Sequence, residues 1–188
     1  ALAAASEFQN LLSEEVVRPS ADWLESYYAM KFHVLVRFGM WDEIISQEPP
    51  KDTELYCFTT ALTYYAKTIA YAATNLIDEA EGQKELFFKA IKAVPETRVL
   101  FNNLCIDILA IAAEMLEGEV AYRKKEYNKS FDHLRKAVYL DDGLPYEEPW
   151  GWMQPVRHAL GALLLEQDKI EEAEDVYRAD LGIDGKLG

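Results

Sequence analysis

Cysteine, glycine, proline, histidine and positive charge are all scarce in this chain of 188 residues. The two cysteines, Cys57 and Cys105, stand far apart, which excludes a disulfide-stapled scaffold and the paired spacings of zinc or redox sites. They read as small buried hydrophobes, and a reducing, cytoplasmic compartment is the expectation. Nine glycines and seven prolines are too few for a low-complexity chain, and the glycines are isolated, so no phosphate-cradling loop exists. The three histidines, His33, His133 and His158, fall in different predicted hairpins, so no metal site is expected. No apolar run is long enough to cross a bilayer, since Asp107 and Glu114 interrupt the richest one. The opening Ala1–Ser6 is too short and uncharged for a signal peptide. Nineteen Lys and Arg stand against 33 Asp and Glu, a net charge of −14. That balance opposes nucleic-acid backbones and anionic membranes as partners and favours neutral or basic ones.

What is present is helical periodicity. Half the residues are hydrophobic, and they recur mostly at spacings of three and four rather than alternating. The pattern predicts a first amphipathic helix over 1–17, then helix pairs over 21–47, 53–93, 98–140 and 153–181. Pro19, Pro49-Pro50 and Pro95 punctuate them. Ser20, Asn75–Asp78 and Asp168–Glu171 are expected to cap helix starts. The helix over 98–124 is apolar on nearly every side, from Leu100 and Leu104 to Leu116 and Val120, so neighbours must cover it from two directions.

Two of these pairs share one register. Gly118, Ser130, Leu134 and Ala137 in one match Gly161, Ala173, Tyr177 and Asp180 in the other, at offsets of 12, 16 and 19 residues from the glycine. Phe32 with Ile44, and Thr68 with Ala80, repeat the offset of 12 in weaker copies. The small residues allow two helices to approach, and Leu134 or Tyr177 is expected to fill the space towards the next unit. This register resembles the tetratricopeptide repeat, a helix-turn-helix unit of about 34 residues. The proline usual after the second helix is missing at Asp142. The resemblance implies an all-α right-handed superhelix of about four stacked hairpins, a protein-interaction scaffold with no cofactor and no reaction. The segments His33–Glu43 and Glu148–Gly161 also look like a subgroup of longer repeat proteins. With no Met at its start and a tail over 182–188, the chain is expected to be a segment of a longer repeat protein, or to pair with a second copy.

By the same resemblance, the first helix of each hairpin lines a concave groove. The register then places His33, Arg37, Tyr65, Ile69, Met115, Glu119, Tyr122, Arg123, His158, Ala162 and Glu166 on that surface. Aromatics and arginines are good recognition material, although Glu119 and Arg123, four apart, also form a self-satisfying pair. The connection Asp141–Pro155 holds four carboxylates, three prolines, Tyr146, Trp150 and Trp152. One reading makes it a flap that closes a cleft, with Trp152 or Tyr146 as a stacking surface, Glu147 or Glu148 as a cation site, and Arg157 and His158 delivered to the groove. The other makes it a connector whose aromatics cover the hairpin edge and whose carboxylates pair with Arg157. The expected function is to bind a peptide or protein segment in the groove. The alternative is a small-molecule receptor or enzyme with the groove closed by that loop. Asp107, set in an apolar helix, would have a raised pKa if buried. No nucleophile motif accompanies it.

Overall fold

The computed structural model describes residues 1–148 and 151–183. Pro149, Trp150 and the terminal 184–188 stretch, all part of the expectations above, lie outside the described residues. The chain is 72% helical, with helices packed on helices, which places it in the all-α class.

The first segment is less regular than predicted. Helix α1 (Leu2–Leu11) and the short α2 (Glu14–Val17) replace one helix. The 21–38 helix divides into α3 (Ala21–Leu24), a 3-10 stretch (Glu25–Ala29) and α4 (Met30–Arg37). The irregular stretch turns Glu25 and Ser26 inward, both buried. After α5 (Trp41–Ile45) come α6 (Cys57–Ala73) and α7 (Ile77–Ala90). Helix α6 starts four residues later than predicted because its cap is remote. The Glu25 carboxylate accepts from the amides of Phe58 and Thr59, at 3.2 and 2.8 Å, satisfying donors that no local side chain reaches.

A two-stranded hairpin precedes the next helix. Strand β1 (Val99–Leu100) pairs antiparallel with β2 (Asn103–Leu104), and Phe101 takes the left-handed conformation at φ 53° in the turn. The helix predicted from 98 therefore begins only at α8 (Cys105–Arg123). Its partner α9 (Tyr127–Asp142) runs two residues past the predicted end. Helices α10 (Val156–Glu166) and α11 (Ile170–Asp180) follow. Along the chain α5 packs on α6, α6 on α7 and α8, α8 on α9, α9 on α10, and α10 on α11.

Four helix-to-helix turns share one geometry. Gly39, Asn75, Lys125 and Asp168 all have φ between 57° and 64°. In each, the next residue's amide reaches back five residues to a helix carbonyl, as from Glu126 to Ala121 at 2.9 Å. This is the left-handed helix-stop motif that satisfies orphan carbonyls. It replaces the capping boxes expected at Asn75 and Asp168, neither of which makes a side-chain cap bond. Each turn residue follows its register position (Phe32, Thr68, Gly118, Gly161) by seven residues. The four partners twelve residues on, Ile44, Ala80, Ser130 and Ala173, are all fully buried.

Two glycines lie where a facing side chain leaves no room for a Cβ. A Cβ on Gly118 would lie 2.8 Å from Leu134 Cγ, and one on Gly161 would lie 2.5 Å from Tyr177 Cζ. Leu134 thus covers the glycine of its own hairpin, and it also joins Leu160, Leu163 and Leu164 in the cluster between α9 and α10. Because Leu134 is buried and cannot swing away, Gly118→Val is expected to cost about 1–3 kcal/mol through overpacking. Gly82→Ala, where a Cβ would meet nothing within 4 Å, should instead gain about 0.5–1 kcal/mol of helix propensity. Urea melts of the two variants check both signs.

Candidate functional site

The inner face of the first helices is not an open groove. Trp152, 1% exposed, inserts between them. Its ring meets His33 edge-on at 5.3 Å and Tyr65 at 5.2 Å, and its indole N–H points to Met115 Sδ at 3.0 Å. Gln154 fixes the same segment by donating to the His33 carbonyl at 2.8 Å. His33, Tyr65, Met115 and Trp152 therefore come together, as residues of one groove should, but as core. Trp152 is packed into the core, so the free stacking surface expected of it is corrected. The pattern of buried aromatics in the loop was visible; that the loop fills the groove was not.

Burial leaves its mark on the ionisable members. Desolvation lowers the His33 imidazole to about 4 and raises the Tyr65 phenol. The unfolded chain binds a proton at His33 near pH 6.5 that the native chain refuses until about pH 4. Stability from this residue is therefore complete above pH 6.5 and is lost as pH falls to about 4, a change on the order of 3 kcal/mol. Burial raises Glu25 and Asp141, and raised carboxylates act in the opposite sense, losing stability as pH rises. The difference between wild type and His33→Phe isolates the histidine. Its stability gap is expected to change steadily between pH 6.5 and 4 and to flatten outside that window, measured by urea melts at each pH.

The rest of the connection is held by local bonds rather than left as a free flap. Glu147, offered as a cation site, is buried and accepts from the Asn102 amide at 3.1 Å and the Asn103 side chain at 2.5 Å. Gly151 packs so close to Asn103 that a Cβ would lie 2.8 Å from its amide nitrogen. Glu148 accepts from the Tyr146 hydroxyl, and Tyr146 itself stays exposed.

Where the segment leaves the core, an open cleft of about 360 Å³ remains. Arg37, Asp141, Asp142, Trp152, Pro155, Arg157, His158 and Asp180 line it. It unites four of the residues predicted from sequence: Arg37 from the first hairpin, Trp152 from the connection, and Arg157 and His158 from the last. Arg157 clasps Asp142 with two bonds, at 2.5 and 2.6 Å. His158 Nε2 lies 3.0 Å from Asp180. Burial, with Asp142 beside it, pushes the Asp141 carboxyl up to about 6, against the pull of Arg157. Arg37 is exposed and has no hydrogen-bond or ion-pair partner among the described residues.

The other predicted residues lie outside the cleft. Glu119 and Arg123 pair at 2.7 Å, the self-satisfying arrangement. The Arg123 guanidinium also sits 5.6 Å from the Tyr122 ring centre, while the Tyr122 hydroxyl donates to Glu166 at 2.8 Å. Asp107 is exposed on α8 and does not enter the apolar core. Among the described residues no His, Cys, Asp and Glu group could hold a metal ion, and no helix is long and apolar enough to cross a membrane.

One cluster was missed by sequence reasoning. Glu25, Arg98 and Asp22 meet beneath α6: Arg98 reaches Glu25 at 3.4 Å and Asp22 at 3.4 Å, and donates to the carbonyls of Ala21 and Leu55. No spacing connects residues 73 apart, and no motif in the sequence includes Arg98. The cluster joins the helix α6 N-terminus to the segment that leads into the β-hairpin. No family model matches the sequence, and no curated protein or solved structure matches it.

Proposed function

We propose that this chain is a helical-repeat scaffold of the tetratricopeptide type that holds a segment of another protein in the cleft between Arg37 and His158. The repeat reading is supported by the recurring turn, which falls seven residues after the register position in all four helix pairs. It is supported too by the burial of all four partner positions. Such stacked units have no reacting group of their own and work through the surface they jointly form.

The observation that carries the binding reading is one cleft lined by both Arg37 and His158, more than a hundred residues apart in the chain. The inner face predicted to bind is filled by Trp152, so the recognition surface moves to the cleft's rim. There Arg157 and His158 are engaged with Asp142 and Asp180. Arg37 and Asp141 remain as the charged groups with neither hydrogen-bond nor ion-pair partners among the described residues. Arg37 suits a carboxylate or carbonyl of the incoming chain, and Asp141 suits a donor. The net charge of −14 steers the approach of basic segments. A small-molecule site or enzyme would draw support from an enclosed pocket, and this cleft opens to solvent beside two exposed side chains.

Selection of a random peptide-display library on the immobilised protein tests this. A recurring peptide sequence should emerge whose affinity falls about tenfold in Arg37→Ala and in His158→Ala, one such step being about 1.4 kcal/mol. Enriched peptides that bind both variants as well as wild type would remove the cleft from the proposal. Arg157→Ala is the poorer probe, since it also strands Asp142.

A further inference from the structure

A second cavity, of about 450 Å³, lies between α8, the end of α9 and the start of the connection, and shares the lining residue Asp142 with the cleft. Leu140, Leu144, Ala110 and Pro145 supply its apolar lining, and Asp107 and Tyr139 stand among them. Tyr139 is 77% exposed, and its ring has no aromatic or cationic neighbour among the described residues. Asp107 is exposed too, and its carboxylate has no hydrogen-bond or ion-pair partner among the described residues. Among the described residues no basic side chain lines the cavity. Asp142 lines it too, but is already paired with Arg157.

We propose that this cavity is a docking pocket for an arginine side chain of a partner protein. The charge complementarity is one-sided: an unpaired carboxylate, an exposed aromatic face and no cation, on a chain of net charge −14. An arginine satisfies all three features together. Its methylene stem covers the apolar lining at Leu140, Leu144 and Pro145. Its planar guanidinium stacks on the Tyr139 ring while its edge donates to Asp107. A lysine ammonium is a compact, strongly hydrated charge and cannot stack and donate in a fork at once. The pocket shares Asp142 with the cleft that Arg37 and His158 line, but Asp107 and Tyr139 do not line that cleft, and the inference does not depend on that reading.

The test uses three short peptides, Gly-Arg-Gly, Gly-Lys-Gly and Gly-citrulline-Gly, titrated into the full chain with amide chemical shifts as readout. Gly-Arg-Gly is expected to shift the amides of Ala110, Leu140 and Leu144. It should bind at least threefold more tightly than the lysine peptide, and the neutral citrulline peptide should leave those amides unmoved. Tyr139→Ala and Asp107→Asn should each weaken the arginine peptide at least threefold, while Arg37→Ala leaves it unchanged. Thermal melts check that both pocket variants remain folded; Asp107 also lies in the first turn of α8, and Asp107→Glu should restore binding. Equal affinity for arginine and lysine, shifts scattered over the acidic surface, or insensitivity to Tyr139→Ala would each overturn the proposal.

Discussion

Trp152→Ala is expected to be the most damaging single truncation in the connection, costing about 3–5 kcal/mol. For a chain of this size each kcal/mol moves Tm by roughly 2–4 °C, so the loss is on the order of 10 °C. The indole is buried among His33, Tyr65 and Met115, side chains of α4, α6 and α8. Removing it leaves a void that rigid helices cannot close, and a void forfeits both transfer energy and dispersion contacts. Trp152→Phe keeps much of the volume but loses the N–H to sulfur contact, and should fall between. Added indole offers an independent reading: it should raise the Tm of the alanine variant and leave wild type unmoved, because a ligand that binds only the native state stabilises it by mass action. A Trp152→Ala variant that melts within about 2 °C of wild type would show that the inner face does not depend on this plug.

Glu25→Ala should cost a comparable amount, about 3–5 kcal/mol. Its carboxylate caps α6 through Phe58 and Thr59 and faces the buried Arg98. Alanine would strand two helix donors and deprive a guanidinium in a dry site of its nearest buried anion. Asp22, half-exposed and 3.4 Å from Arg98 Nε, cannot replace it, because it reaches neither helix donor. Glu25→Gln keeps an oxygen for the Thr59 amide but sets an N–H donor where Oε2 accepts from Phe58 and Arg98, so it should cost less than alanine, about 1–3 kcal/mol. Equal losses from the two variants would mean that the contacts of Oε2, not the bond to Thr59, carry the effect. Guanidinium chloride melts, which screen weak surface pairs but not this buried one, separate the two.

Both predictions concern contacts that local pattern could not supply. The spacing of three and four marks the helices, and the glycine register locates tight contacts at Gly118 and Gly161. Those are short-range facts: a helix must bury an apolar stripe, and only a small residue lets another backbone come near. Boundaries were less legible where remote groups decide them. Glu25 delays the start of α6 from 33 residues away, and the Val99–Leu104 hairpin occupies what read as the first turns of α8. Capping motifs misled for a related reason. At Asn75 and Asp168 the same residues that favour N-caps also tolerate the left-handed backbone, and the chain used the second property.

The candidate site was half visible. The register places Arg37 and His158 on one surface, the connection brings Arg157 beside them, and the three line one cleft. Nothing in the sequence distinguished them from His33, Tyr65 and Trp152, which have similar chemistry and became core. That difference rests on which face the Gly151–Pro155 segment covers as it crosses from α9 to α10. By itself the sequence determined the helical class, the close helix approaches and an acidic surface, because each follows from composition or from spacing within one turn. Which groove is filled, which carboxylate is left unpaired and which arginine meets the solvent were decided only by the tertiary packing, since burial belongs to a position in space and not to a residue type.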